Sequence, residues 1–440
     1  MYMETYGCQM NVADSEVVVA LMKQQGYALT ERMEEASLIL VNTCSIRENA
    51  EQRIWGRLDV FRQQKQKHPH MRVGVIGCMA ERLKERLIER EKSVDLVIGP
   101  DAYRALPELL DQVESGQRGV NTLLSREETY GDILPVRTGK NNISAFISIM
   151  RGCNNMCAYC IVPYVRGRER SRDPQTILQE VKQLSRAGYR EITLLGQNVD
   201  SYRWKTEEGT IYPFAWLLDQ VARIDPTMRM RFSTSHPKDL SDQVLKEMAR
   251  HPNICKHIHL PVQSGSSKIL KAMNRGYTRE WYQNRIDAIR SFLPEAEITT
   301  DIMTGFPSET DEDHRQTLSL MEYANYDFAY MFAYSERPGT KAARKMEDDV
   351  PEAVKKNRLQ EVIDLQNKLS ASNKQKAIGH TFRVLVEGTS KKSHQDHYGR
   401  NSRNQVVVFP KGQTQVGDFV DVYIEQATSG TLIGKKVKPL

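Results

Sequence analysis

The 440-residue sequence has no long apolar run and few cysteines, and both absences restrict its function. No stretch reaches the roughly 18 uninterrupted apolar residues that cross a membrane. The first residues lack the basic start and apolar segment of a secretory signal peptide. Seven cysteines are an odd number, and six of them fall into two sets of three. Since such sets favour metal binding over disulfides, we expect a protein of the reducing cytoplasm.

Charge is distributed unevenly along the chain. The net charge is +6, and residues 373–440 alone carry eleven Lys/Arg against five Asp/Glu, so the other residues balance. A basic segment attached to a neutral body predicts a polyanionic partner, for which nucleic acid is the first candidate. The alternative is a basic surface that only contacts solvent.

Three cysteines lie within eight residues, spaced C-x3-C-x2-C. We call them the loop triad: Cys153, Cys157 and Cys160. A 4Fe–4S cluster is usually held by four thiolates, so three would leave one iron open to a small molecule. A structural zinc site needs four ligands, and the nearest downstream cysteine, Cys255, is distant and is expected to be a packed thiol. The spacing therefore predicts a 4Fe–4S cluster with an open iron.

The first 125 residues have the pattern of an α/β domain. Two short apolar runs, 38–41 and 73–76, are bounded by turn residues, as in buried parallel strands. Helical periodicity covers residues 14–24 and 48–64, and Asp14 is a candidate N-cap. We expect a doubly wound sheet at residues 1–125.

Three further cysteines recur within this domain, each at the end of a predicted strand. We call them the N-terminal triad: Cys8, Cys44 and Cys78. Their separations of 36 and 34 residues match one strand–helix unit. Because the carboxyl ends of parallel strands share one edge of a sheet, the three thiols should meet there. The sequence predicts a second three-thiolate site; three separately buried small hydrophobic residues are the alternative.

A polar, aperiodic segment at 126–142 is expected to be a linker, and strands then alternate with helices over residues 143–372. The predicted strands are 145–150, 191–195, 228–233, 257–260, 297–303 and 328–334, with helices such as 174–187 and 239–249 between them and an amphipathic connecting helix at 352–376. Six such units predict a partial or full parallel (β/α) barrel, whose chemistry lies at the carboxyl ends of its strands.

Residues 373–440 change to period-2 alternation and predict a small all-β, OB-like barrel.

Polar, glycine or aromatic residues follow the predicted barrel strands on the side of the loop triad. The candidates for ligand contact are Tyr159, Gly196, Gln197, Asn198, Ser233, Gln263 and Phe306. Tyr159 offers a ring that can pack on an adenine, Gly196 permits close approach to the backbone, and the amides can donate hydrogen bonds. Each alone is an ordinary turn residue, but their recurrence indicates an active site.

Six stretches resemble the methylthiotransferase family of radical S-adenosylmethionine (radical SAM) enzymes, and most closely its tRNA branch. They are residues 4–11, 42–48, 75–78, 151–160, 166–172 and 195–198. The resemblance covers essentially the whole chain, and cysteines fill all six ligand positions of the family. It implies three parts: an N-terminal methylthiotransferase domain, a radical SAM barrel and a C-terminal TRAM domain.

This resemblance also implies cofactors and an activity. The loop triad would hold a 4Fe–4S cluster that binds S-adenosylmethionine and cleaves it to methionine and a 5′-deoxyadenosyl radical. The N-terminal triad would hold a second 4Fe–4S cluster that supplies sulfur. The substrate would be C2 of an isopentenyl-modified adenosine just 3′ of the anticodon in tRNA. The implied partners are the anticodon stem-loop, an electron donor such as flavodoxin and an iron–sulfur carrier.

Two sets of basic residues are candidates for RNA contact. They are Arg166, Arg168, Arg170 and Arg172 just after the loop triad, and Lys391, Lys392, Arg400 and Arg403 in the last domain. Both sets suit phosphates, although the first set could instead form internal ion pairs or hold the carboxylate of S-adenosylmethionine. The rival functions are methylthiolation of a ribosomal-protein aspartate, of threonylcarbamoyl-adenosine in tRNA, or non-enzymatic RNA binding by an iron–sulfur protein.

Overall fold

A computed structural model describes residues 1–45, 48–139 and 142–437, with the side chains of residues 48–50 left out. Three parts of the expectations above lie outside these residues: 46–47 in the stretch after Cys44, 140–141 in the predicted linker, and the last three residues. No helix in the described ranges is long and apolar enough to cross a membrane.

The first domain is a five-stranded parallel sheet whose strands lie in chain order. Its strands are β1 (Tyr2–Thr5), β2 (Leu38–Thr43), β3 (Arg72–Gly77), β4 (Leu96–Ile98) and β5 (Gly119–Asn121), and its helices are α1 (Gln9–Gln24), α2 (Glu48–Lys67), α3 (Cys78–Leu83), α4 (Glu85–Arg90) and α5 (Leu106–Glu114). Helices cover both faces, because Leu38 and Leu40 pack with α1 and α5 whereas Ile39 and Val41 pack with α2 and α3. The predicted parallel α/β domain is confirmed.

Helix α1 begins earlier than the sequence predicted. Its N-cap is Cys8, in an extended conformation, so the helix starts at Gln9 and Asp14 lies inside it. The prediction that Asp14 caps the helix is wrong because this carboxylate is buried in ion pairs with two arginines.

Residues 126–139 form no helix or strand, yet Tyr130 and Ile133 pack in the first core. The boundaries of the three domains stay a prediction.

The central domain contains all six predicted barrel strands, in parallel and in chain order. Its strands are β6 (Ser144–Ser148), β7 (Met150–Arg151), β8 (Arg170–Ser171), β9 (Glu191–Leu195), β10 (Arg203–Lys205), β11 (Ile211–Pro213), β12 (Arg229–Ser233), β13 (His257–His259), β14 (Glu297–Thr304) and β15 (Phe328–Ala333). A bridge between Met230 and Ile254 joins the two halves. Within the described ranges β6 and β15 do not pair with each other, so the barrel is partial.

Helices cover the outside of this barrel, as the amphipathic patterns indicated. They are α6 (Val162–Arg166), α7 (Pro174–Arg186), α8 (Phe214–Ile224), α9 (Asp242–Arg250), α10 (Ser267–Ala272), α11 (Arg279–Phe292), α12 (Asp311–Ala324), α13 (Lys341–Lys345) and α14 (Glu352–Gln375). The expected helix at 239–249 is one short 3-10 turn followed by α9, which Ser241 caps through its side chain. One apolar core joins α7–α12 and α14 to the sheet, whereas α6 packs beside Cys78 and α13 beside Ala158.

The last domain is a closed five-stranded barrel. Its strands are β16 (Thr381–Thr389), β17 (Asp396–Arg400), β18 (Val406–Pro410), β19 (Phe419–Ala427) and β20 (Leu432–Lys436). The predicted small all-β barrel is confirmed, and β17 and β20, which the sequence analysis did not identify, complete its closure.

This domain packs against the amino ends of the central strands. Arg229 at the start of β12 donates to the carbonyls of Arg400 at 2.6 Å and Arg383 at 3.0 Å. Arg190, just before β9, donates to the carbonyl of Gly417 at 3.2 Å. The small barrel therefore closes one end of the central barrel, and the loop triad follows the strands at the other end.

Candidate cluster-binding sites

The N-terminal triad meets at one edge of the first sheet. Cys8 caps α1, Cys44 follows β2 and Cys78 is the first residue of α3 after β3. Burial raises the pKa of the Cys78 thiol to about 12; Arg166 lowers it, and nearby Cys44 and Cys8 raise it. The parallel sheet has thus brought together three thiols from three successive units.

Two glycines allow this approach. A side chain on Gly7 would lie 2.5 Å from Cys44 Cβ, and one on Gly77 would lie 2.3 Å from Asn42 Oδ1. Both have positive φ, at +123° and +92°. Only glycine adopts these conformations without strain, so the loop before Cys8 and the turn before Cys78 are fixed by the need to bring the thiols close.

The loop triad follows β7 and is held by backbone contacts from both sides. Ala158 N–H donates to the Met273 carbonyl at 2.8 Å, and Ala342 N–H donates to the Ala158 carbonyl at 2.7 Å. Cys153 N–H donates to the Gly167 carbonyl at 3.1 Å. A side chain on Gly152, whose φ is +76°, would lie 2.0 Å from the Arg168 carbonyl oxygen. The loop is therefore built around a position that only glycine can occupy.

The donor chemistry of both triads fits a 4Fe–4S cluster with one open iron. The seven cysteines, all within the described ranges, form no disulfide. Burial raises the pKa of Cys153 to about 11 and that of Cys160 to about 12, which favours the protonated thiols in the metal-free protein. Because a metal binds the thiolate form, metal binding would release these protons. Near the N-terminal triad, the buried carboxylate of Asp14 is already bound by Arg151 and Arg166. Three thiolates at each site match the predicted clusters.

The two triads lie next to each other across the domain interface. Cys78 of the N-terminal triad packs in one apolar cluster with Ile161 and Val165. Ile161 directly follows Cys160 of the loop triad. The first domain also contacts the barrel sheet, because Met10 and Ala13 of α1 pack on Leu195. Both sites therefore face the same region between the two domains.

A network of buried ions fixes this interface. Arg151 pairs with Asp14 at 2.7 Å, Arg166 pairs with Asp14 at 2.8 Å, and Arg170 pairs with Asp101 at 2.8 Å. The aspartates belong to the first domain and the arginines to the central one. Breaking such a buried pair costs about 3–5 kcal/mol, so the network locks the relative position of the two domains.

This network corrects the prediction for three of the four arginines after the loop triad. Arg166 and Arg170 are buried in the interface, and Arg172 is buried against Glu180 at 2.5 Å. Buried, paired guanidinium groups cannot contact RNA phosphates, so the prediction of RNA binding is wrong for Arg166, Arg170 and Arg172. The alternative of internal ion pairing holds for them, whereas Arg168 is exposed.

Sequence reasoning missed one residue at the loop triad. Arg275, buried in the turn after α10, donates to Cys157 Sγ at 3.3 Å and to Tyr159 OH at 3.3 Å. It is 118 residues away from Cys157 in the chain. A single arginine between Asn274 and Gly276 has no spacing or periodicity that marks it, so no sequence signal could have identified it.

The residues predicted to contact a ligand occupy the same end of the barrel but differ in role. The amide of Asn198 donates one N–H to Asp239 at 2.7 Å and accepts from His236 N–H at 3.1 Å, so ligand contact through its second N–H stays a prediction. Phe306 is fully buried behind Tyr159, with ring centroids 6.5 Å apart, so it has no free face for an adenine. A side chain on Gly196 would meet Met150 at 2.5 Å, so this glycine permits close packing within the protein.

The other predicted positions retain unused polar groups or special backbone geometry. The buried Gln197 Oε1 accepts no hydrogen bond from any described residue. Gln263, buried after β13, has φ +73°, which is rare outside glycine and clusters at functional sites. Ser233 ends β12 and is partly exposed. Ligand contact by Tyr159, Ser233, Gln197 and Gln263 stays a prediction.

Two residues that the sequence analysis did not name lie at the same end of the barrel. Burial lowers the pKa of His236 to about 2, so its ring is neutral. Its Nδ1 accepts from Lys238 N–H, which places the proton on Nε2, an atom without a partner in the described part of the chain. Burial also raises the pKa of Asp200 to about 7. This end of the barrel thus offers a donor and acceptors suited to a polar ligand such as S-adenosylmethionine.

In the last domain, the predicted basic residues divide into two pairs. Lys391 and Lys392 are exposed in the loop after β16. Arg400 pairs with Glu387, and Arg403 pairs with Glu295 of the central domain at 3.0 Å. The two lysines are thus the freer cations, whereas the arginines contribute to packing.

Comparisons with known proteins agree with this three-part architecture. Residues 1–99 match a family described as uncharacterized protein family UPF0004, residues 147–321 match the radical SAM superfamily, and residues 375–437 match the TRAM domain. A radical SAM methyltransferase of known structure, TsrM from Kitasatospora setae, shares the fold with a TM-score of 0.60 at 12% identity, over 78% of this chain and 76% of that one. The fold and the two triads define a radical SAM protein with a second cysteine site and an appended small barrel.

Sequence relatives make the assignment more specific. The tRNA-2-methylthio-N(6)-dimethylallyladenosine synthase of Bacteroides fragilis is 58% identical over 437 residues, covering 99% of this chain and 95% of that protein. The enzyme of the same name from Bacteroides thetaiotaomicron is 57% identical over 99% of this chain and 96% of that protein. The chain belongs to the family of tRNA-2-methylthio-N(6)-dimethylallyladenosine synthases, which use two 4Fe–4S clusters and S-adenosylmethionine.

Proposed function

We infer that the chain methylthiolates C2 of N(6)-dimethylallyladenosine next to the anticodon of tRNA. The observation that supports this inference is the packing of Cys78 on Ile161, the neighbour of Cys160, because it brings the N-terminal triad beside the loop triad. Family membership over almost the whole chain supports the substrate. When bound, the two clusters would supply the electron that cleaves S-adenosylmethionine and the sulfur of the product. The resulting 5′-deoxyadenosyl radical would take the hydrogen from C2, and a further S-adenosylmethionine would supply the methyl group.

We propose that side chains at the carboxyl end of the barrel hold and orient the reactants. We propose that Gln197 Oε1 and His236 Nε2 contact the polar groups of S-adenosylmethionine, since both are buried without a protein partner in the described ranges. Tyr159 lies between two ligand cysteines and packs edge-on against Phe306, which fixes its ring. Ser233 and Gln263 complete the same end of the barrel.

Contacts with RNA come from exposed cations on two domains. We propose that Arg168, beside the loop triad, and Lys391 and Lys392, in the last domain, contact phosphates of the anticodon stem-loop.

Each lysine changed to alanine should weaken binding and reduce the slope of log K against log salt by about 1. Changing Arg32, an exposed residue paired with Glu35 in the first domain, provides the control. An unchanged salt slope in Lys391→Ala and Lys392→Ala would exclude docking by these residues.

The reaction requires electrons and cluster assembly from other proteins. We propose a one-electron donor such as flavodoxin, an iron–sulfur carrier, and a cytoplasmic setting in which the seven thiols stay reduced.

Reconstitution without oxygen tests the central claim. We expect about eight irons per chain, and about four when either triad is changed to alanine. Mass analysis of tRNA from a strain lacking the protein should show N(6)-dimethylallyladenosine without the methylthio group. Full methylthiolation in that strain, or a single zinc per chain in place of iron, would refute the function.

A further inference from the structure

Each triad has one buried arginine that donates a hydrogen bond to a ligand thiol. Arg275 Nη1 lies 3.3 Å from Cys157 Sγ, and Arg166 Nε lies 3.2 Å from Cys78 Sγ. Both arginines are at most 5% exposed. Hydrogen bonds to the sulfur ligands and burial are among the factors that set the reduction potential of an iron–sulfur cluster. The two arginines are thus placed to act on the clusters through the thiolates.

The two arginines differ in how their charge is balanced. Arg166 pairs with Asp14 at 2.8 Å, within a network that also includes Arg151, Arg170 and Asp101. Because Asp14 is shared between Arg151 and Arg166, the protein itself balances the charge of Arg166 in part.

Arg275 has only neutral partners besides the thiol. Its guanidinium donates to the carbonyl of Pro261 at 2.6 Å and to the hydroxyls of Tyr277 and Tyr159. In residues 1–45, 48–139 and 142–437, no carboxylate forms an ion pair with it. A buried cation without a counter-charge is strongly unfavourable. The thiolates of the loop triad are the anions left to balance it.

We propose that Arg275 is the counter-charge of the loop triad and raises the reduction potential of its cluster, and that Arg166 does the same, more weakly, for the N-terminal triad. Reduction adds one negative charge to a cluster, and a fixed positive charge nearby stabilises the reduced form. The effect of Arg275 is larger because no carboxylate cancels it. Both are positioning residues, since each acts through a cysteine. The proposal rests on the proposed function only in requiring that both clusters bind.

Full-length proteins that hold a single cluster make the test specific. One background carries Cys8→Ala, Cys44→Ala and Cys78→Ala, and the other carries Cys153→Ala, Cys157→Ala and Cys160→Ala. Arg275→Gln, Arg275→Lys and Arg166→Gln are introduced into each. Arg358→Gln is the control, because Arg358 is buried and paired with Glu309 but is not bonded to a cysteine. After anaerobic reconstitution and an iron count, each midpoint potential is measured by a redox titration followed by electron paramagnetic resonance.

We expect a reciprocal pattern. Arg275→Gln should lower the reduced-to-oxidised ratio of the loop-triad cluster at least tenfold at a fixed potential, a shift of about 59 mV for one electron. It should not change the other cluster. Arg166→Gln should lower the potential of the N-terminal cluster by a smaller shift and leave the loop-triad cluster unchanged. Arg275→Lys keeps the charge, so the midpoint potential of its loop-triad cluster should lie between that of Arg275→Gln and that of the protein with Arg275.

Three outcomes would overturn the proposal. They are unchanged potentials at full iron content, equal shifts in both clusters from either substitution, and a shift from Arg358→Gln as large as that from Arg275→Gln. If Arg275→Gln loses iron, restoration of iron by Arg275→Lys supports the counter-charge role, and loss in both variants overturns it. A wild-type protein that binds no iron would instead refute the proposed function, so the two failures are distinguishable.

Discussion

Removing the carboxylate of Asp14 should weaken the interface between the first two domains more than any exposed ion-pair change. Asp14 is 1% exposed and accepts from Arg151 at 2.7 Å and from Arg166 at 2.8 Å. Asp14→Asn keeps the volume but leaves two buried guanidinium groups short of a counter-charge. Losing one partner of a buried pair costs about 3–5 kcal/mol. We expect a loss of this size in the free energy of unfolding of the first domain.

Urea denaturation followed by circular dichroism measures the loss. With a dependence on urea of about 1–3 kcal/mol per molar, 3 kcal/mol lowers the midpoint by about 1–3 M. The control is Asp59→Asn, which breaks an exposed pair with Arg62 and should cost less than about 1 kcal/mol. Because Asp14 lies on the helix that Cys8 caps, Asp14→Asn should also lose iron from the N-terminal triad.

Equal midpoint shifts in Asp14→Asn and Asp59→Asn would contradict this expectation. Full iron content together with an unchanged midpoint in Asp14→Asn would contradict it as well. Either result would mean that the buried network adds little to the association of the domains.

Three further predictions concern other parts of the molecule. Gly152→Ala should reduce iron from about eight to about four per chain, because the added carbon clashes with the Arg168 carbonyl. Gly188→Ala, at a similar φ and without a clash, should keep all iron, and equal iron contents in the two variants would contradict the prediction. Burial and the neighbouring Asp327 raise the pKa of Glu297, so the free energy of unfolding should fall as pH rises above the usual carboxyl range near 4. Glu297→Gln should flatten this decline, measured as urea midpoints between pH 6 and 9. Parallel pH profiles of the variant and the unmodified protein would contradict this. Arg229→Ala removes two hydrogen bonds to the last domain, each worth about 1.5–3 kcal/mol. Residues 376–380 should then become more sensitive to limited proteolysis, and an unchanged digestion pattern would contradict this.

The repeating elements of the fold could be predicted from the sequence because their signals are local. Apolar runs such as Val73–Ile76 predicted parallel strands, and the observed β3 extends them by one residue at each end. The regular spacing of Cys8, Cys44 and Cys78 predicted that they lie at one edge of the sheet, because the strands of a parallel sheet all end at the same edge. Periodicity and spacing thus account for both triads.

The ionic contacts around the sites could not be predicted in the same way. Arg166 meets Asp14 across 152 residues, and Arg275 meets Cys157 across 118 residues. A run of arginines predicts equally well a surface for RNA and a set of buried pairs, since the choice depends on which domain packs beside it. The sequence contains no local signal of that packing, so the prediction for Arg166, Arg170 and Arg172 was wrong.

The last barrel docks at the amino ends of the central strands, whereas both cysteine sites lie at their carboxyl ends. Strand β14 has eight residues, which span about 25 Å. If Lys391 and Lys392 hold the RNA as proposed, the bound RNA has to span this height of the central barrel before its loop reaches the cysteine sites. A stem-loop too short to span it would contact either the last barrel or the cysteine sites, and not both at once.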